Sequence, residues 1–217
     1  MRKLLLALIV MAGVALGQDV ASPAAPEKPT KPKGVIHLQE VKDPPDVQAK
    51  ENCNNFSFAA ALAGALSYEN AEIKQDYWID KLYGGGVCVE IGDPQDLARK
   101  VAGSYVLDDG RHVDVSLEYF PGVPSNSAAF LVPVMTDEIL IVFVEGHADL
   151  LVGAMWDEYR STRGERMIDL KELHLLDPLA TADKRKAILD VAGEDAAKIT
   201  GYMQVKTVEV DKAYWPK

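Results

Sequence analysis

Apolar and polar positions alternate with two different periods along this chain, and the change divides it. Over residues 52–68 (NCNNFSFAAALAGALSY) Ala59, Leu62, Ala63 and Leu66 recur at i, i+3, i+4 and i+7, the period of an amphipathic helix. Asn52, Asn54 and Asn55 are candidate N-caps for it. Its many alanines make a slim cylinder that other elements can approach closely, which fits a central, buried position. A second helix is predicted over 74–82, stopped by Gly84-Gly85-Gly86. A third has Asp93 as N-cap, Pro94 at the first helical position and Gly103 past its end. The period then shortens. Asp109-Gly110 between 105–107 and 112–115 is a hairpin signal. A short helix is expected from about Ser125. The β-branched run 139–144 reads as a buried strand, and 147–155 as its antiparallel partner. Segments 167–170 and 173–176 look strand-like, 183–191 helical, and 202–210 a last strand. Helices first and strands later argue for an α+β fold with an antiparallel sheet.

The N-terminus assigns the chain to a compartment. Met1-Arg2-Lys3 precedes an uncharged, mostly apolar stretch from Leu4 to Leu16. Spanning a bilayer takes about 20 such residues. Ala15 and Gly17 have the spacing of a signal-peptidase site. Residues 1–17 therefore read as a secretory signal, which makes the mature chain secreted or periplasmic with no stable membrane span. Prolines 23, 26, 29 and 32 make 18–33 an extended linker. One folded domain is expected over 34–217.

Composition excludes several classes. The chain has 217 residues, 48% hydrophobic and 26% charged, ordinary for a globular domain. Its net charge of -10 argues against nucleic acid as a partner, since phosphate binding needs clustered Lys and Arg. No HExxH pair, phosphate-cradling loop or Gly-x-Ser-x-Gly occurs, so neither metal nor cofactor is expected. His147 and Asp149 share a strand face, but two ligands do not make a zinc site.

The two cysteines carry the candidate chemistry. Cys53 sits at the start of a helix, where partial positive charge favours a thiolate. Of four histidines, His147 opens a predicted core strand in GHADLLVGAMWDE. Asp177 ends the neighbouring strand in LHLLDP and is placed to orient it. Cys88 follows the glycine run and is either structural or bonded to Cys53. A disulfide between the two, permitted outside the cytoplasm, would silence the nucleophile.

These segments, in this order, resemble those of papain-like cysteine peptidases. NCNNFSFAAAL resembles the segment in which a cysteine opens the central helix, and EGHADLLVGAMWDE the histidine segment. LHLLDP resembles the third segment of the bacterial branch related to bacteriocin-processing and effector-type peptidases, where Asp precedes Pro. QDYWIDKLYGG is similar to their second helix. The resemblance spans roughly residues 45–180. It implies a papain-like fold, with the Cys-bearing helix packed on the sheet. It implies Cys53 as nucleophile, His147 as base, Asp177 as orienting group and Gln48 as oxyanion-hole donor, acting on a peptide or protein amide bond. Asn54 stands where the family usually has Trp, and Gln48 is one residue closer to the cysteine than in papain. Asn52 or Asn54 is an alternative oxyanion donor. The alternative function is a non-catalytic papain-like binding module, with Cys53 inactive or bonded to Cys88.

Overall fold

The computed structural model describes residues 34–211; the expected signal segment and linker lie outside them. Four helices and eight strands make an α+β architecture with a single antiparallel sheet. In chain order these are β1 (Val35–Glu40), α1 (Asn54–Tyr68), α2 (Gln75–Tyr83), α3 (Pro94–Val101), β2 (Gly103–Val106), β3 (His112–Pro121), α4 (Ala128–Met135), β4 (Leu140–Val144), β5 (His147–Arg160), β6 (Arg166–Leu176), β7 (Lys186–Asp190) and β8 (Ile199–Val210). The sheet runs β2-β3-β8-β4-β5-β6-β7. The fourteen-residue β5 is its spine. Its first part pairs with β4 (Val144 opposite His147, Leu140 opposite Leu151), and its later part with β1 along the same edge (Glu40 opposite Gly153).

Period-two alternation divides the core into two layers. On β4, Ile141 and Phe143 join a cluster with α1, α2 and α3, while Leu140, Val142 and Val144 join the opposite cluster with α4. α1 lies against β5 on the first face, and Phe58 stacks on Phe143 with centroids 6.0 Å apart. Gly64 explains how closely α1 is approached. A methyl there would collide with Val47 and lie 3.1 Å from Leu150 Cδ1. The slim, buried helix expected from the alanine run is what the sheet packs against.

The helix signals hold, with one shift. α2 ends in Gly84 at φ 73°, a left-handed cap that glycine adopts without strain. The Asp93 side chain accepts from the Gln95 N–H, with Pro94 opening α3. The N-cap of α1 is Cys53, not one of the asparagines; the Cys53 carbonyl takes the Phe56 and Ser57 N–H groups.

Three elements differ from expectation. The segment predicted as a helix over 183–191 contains strand β7, followed by a 3-10 turn over Glu194–Lys198. β7 pairs with β6 in register, Leu189 opposite Leu173. Its side chains alternate, Leu189 buried and Ile188 outward, so the free edge of β6 decides against local helix propensity. The two strand-like segments of 167–176 are one strand, β6; the pairing with β5 shifts register between Met155 and Trp156. β1, which the alternation did not flag, is almost wholly exposed.

Candidate functional site

A tight turn fixes the position of His147. Glu145 and Gly146 connect β4 to β5 with φ values of 48° and 87°. A two-residue hairpin turn with both φ positive matches the twist of its strands, and glycine at the second position carries it at least cost. His147 is thus the first residue of β5, paired with Val144. Asp149, two residues on, shares its face.

The first turn of α1 is seated on this strand start. Ser57, fully buried, accepts the Ala148 N–H at Oγ (2.9 Å) and donates to the Asn54 carbonyl. A Cβ on Gly146 would lie 3.6 Å from Asn54 Nδ2. The residue after His147 is thus bonded to the first turn of the helix that Cys53 caps.

Asp177 arrives from β6. Its Oδ1 accepts the Leu179 N–H (2.8 Å) across Pro178, and its own N–H donates to the Arg185 carbonyl. His147, Asp149 and Asp177 each offer an atom, and these lie within 4.8 Å of one another. The closest orienting contact is with Asp149. Its Oδ1 is 3.4 Å from His147 Nε2, and its side chain is 3% exposed against 23% for the imidazole. The structure thus brings His147 and Asp177 together, and adds a buried carboxylate between them and the core.

Charge follows from that geometry. The Asp149 carboxylate, 3.4 Å from the imidazole, holds the His147 pKa above its ordinary value; desolvation opposes it, and Asp177 and Glu145 add to the rise. Burial pushes the Asp149 carboxyl up, with Asp177 adding repulsion, while His147 pulls it down. Three acidic groups face one half-buried ring, so a protonated imidazole is the direction that satisfies the cluster. The same three side chains are the one set among the described residues with donors placed for a cation. A His and two carboxylates suit a divalent ion.

Cys53 is not a free thiol. It is bonded to Cys88, with Cα atoms 5.5 Å apart. The loop carrying Cys88 is also tied to α1 by the two asparagines that follow Cys53. Buried Asn55 donates from Nδ2 to the Val87 carbonyl (2.9 Å), accepts the Val89 N–H at Oδ1 (3.2 Å) and donates its own N–H to the Val89 carbonyl. Asn54 Nδ2 donates to Glu90 (3.1 Å). Asn54 thereby anchors the Cys88 loop over the helix start. In this state Cys53 cannot attack a carbonyl.

The Cys53 N–H and the Gln48 carboxamide oxygen both have partners away from His147. The Cys53 N–H donates to the Glu51 carbonyl (2.9 Å). Gln48 is exposed and its Oε1 accepts from Arg185, which also pairs with Asp46. Gln48 lines a groove along α1 with Ala60 and Gly64. It is not among the groups brought to His147. Asp149 is the residue that sequence reasoning assigned no role in the site. Its signal was the His-x-Asp spacing on a strand, set aside there as an incomplete metal site.

No protein-family model, curated protein or solved structure matches this chain.

Proposed function

We propose that this domain is a papain-like cysteine hydrolase of peptide or related amide bonds, held by the Cys53–Cys88 disulfide in a closed state. The observation that carries the reading is the cluster of His147, Asp149 and Asp177 at the strand start seated on the first turn of α1. A structural disulfide needs no such cluster. Burying Asp149 beside a second carboxylate opposes folding, and groups perturbed in this way cluster at functional sites. In the reduced state Cys53 attacks the substrate carbonyl, His147 takes its proton and delivers it to the leaving amine, and the aspartates hold the imidazole. The extracellular placement read from residues 1–17 is compatible with the disulfide. No helix among the described residues is long and apolar enough to cross a membrane.

A second reading is favoured by one observation, the disulfide itself: a non-catalytic binding module in which Cys53–Cys88 is a permanent staple. The bond closes a loop of 35 residues, which is worth about 4 kcal/mol in the chain-entropy account. The experiment that separates the readings is labelling by a cysteine-peptidase electrophile before and after reduction, with Cys53→Ala as control. Labelling at Cys53 only after reduction supports the hydrolase. Reduction that lowers the melting temperature and yields no labelling supports the module.

A further inference from the structure

We infer that Cys88 is a thiol-exchange site: an external thiol attacks its sulfur and releases Cys53 as the leaving thiolate. The consequence for activity rests on the hydrolase reading; the site of exchange does not.

The two halves of the disulfide are unlike. Cys53 is 8% exposed, under the loop at the start of α1. Cys88 is exposed, as are its neighbours Gly86, Val87, Val89 and Glu90. Exchange requires a thiolate to reach one sulfur, so access selects Cys88. The leaving group selects it too. Cys53 caps a fifteen-residue helix with no acidic residue in its first turn. The partial positive charge there favours the negative charge on a departing sulfur. Steric access and leaving-group quality thus name the same sulfur for attack, and the same sulfur, that of Cys53, for release.

The loop does not depend on the disulfide alone. The three Asn55 hydrogen bonds and the Asn54–Glu90 bond tie it to α1 independently of the sulfurs. Cys88 therefore stays close to Cys53, and the bond can re-form without a search of the chain. The device is a reversible cover on the nucleophile.

The balance is that of two thiols and one disulfide. The thiolate RS⁻ bonds to Cys88 Sγ, the bond between Cys88 and Cys53 breaks, and its electron pair goes to Cys53. A second RS⁻ then attacks the sulfur of the R group, giving RSSR and a Cys88 thiolate that takes a proton from water. The two external thiols are oxidised and the protein disulfide is reduced.

The test uses the full mature chain with its disulfide intact. In one arm the probe is glutathione; in the other it is a thioredoxin-type protein dithiol whose resolving cysteine is replaced, so that the conjugate is trapped. After seconds the reaction is quenched in acid, free thiols are alkylated and the cysteine peptides are mapped by mass spectrometry. The expected result is conjugate on Cys88 and alkyl on Cys53, in at least tenfold excess over the reverse. Conjugate in one arm alone supports the site and identifies the source of the thiol. Conjugate on Cys53, an even split, or none in either arm overturns the inference. Selective exchange followed by no electrophile labelling of the freed Cys53 keeps the exchange site and removes the hydrolase reading.

Discussion

The imidazole of His147 is the residue whose charge state most directly reports the site. Its pKa is raised chiefly by Asp149, then by Asp177 and Glu145. A raised basic pKa stabilises the fold fully below the free value of about 6.5 and loses that contribution as pH rises through the folded value. His147 should therefore titrate above 6.5 by NMR, and Asp149→Asn should move the midpoint down. A midpoint unchanged by that substitution would remove Asp149 from the pair. Gln48 gives a second prediction. An oxyanion donor is worth about 10²–10³ in rate. With its Oε1 accepting from Arg185 and its side chain in a groove lined by Ala60 and Gly64, Gln48→Ala should cost the reduced protein less than tenfold in the rate of electrophile labelling. A loss of a hundredfold would return the residue to the oxyanion hole.

At the scale of elements, one hydroxyl and one carboxamide hold the site together. Ser57 joins α1 to β5 through the buried Ala148 N–H. Ser57→Ala leaves that donor unpaired, and urea unfolding should show a loss of about 1–3 kcal/mol. Asn55→Ala removes both side-chain bonds to 87–90; faster amide exchange at Val89 should report it, with α2 unaffected. Much at this scale was legible in the sequence. α2 and α3 follow from Gly84 and Asp93-Pro94, and β4 from its β-branched run, because caps and buried strands are written in local residues. β7 was not, since 183–191 (DKRKAILDV) carries its apolar residues in a spacing that suits a helix, and only pairing with β6 makes it a strand. Nor was the insertion of β8 between β3 and β4, because pairing order is a long-range property. The order Cys53, His147, Asp177 was readable. The engagement of Gln48 by Arg185 was not, because that contact joins residues 137 apart in sequence.

The whole molecule pairs a helix that presents a sulfur with a strand that presents an imidazole, and adds a loop that closes over the sulfur. The cysteine count alone left two meanings open, a staple or a nucleophile. The structure shows the bond to Cys88 and seats the helix that Cys53 caps on the start of β5 through Ser57. Replacing Cys88 separates the two meanings. If the bond is a staple, Cys88→Ser lowers the melting temperature and gains nothing. If the bond is a cover, the same variant is less stable but reactive without any reductant.

The most direct measurement is the rate at which a cysteine-peptidase electrophile labels Cys53 across pH, in the reduced wild-type chain and in Cys88→Ser. The account predicts labelling of Cys53 that is absent before reduction. It also predicts a thiolate already formed well below pH 8.5, and a large drop in rate in His147→Ala. A reduced Cys53 that titrates near 8.5 like a free thiol, with a labelling rate indifferent to His147, would contradict it.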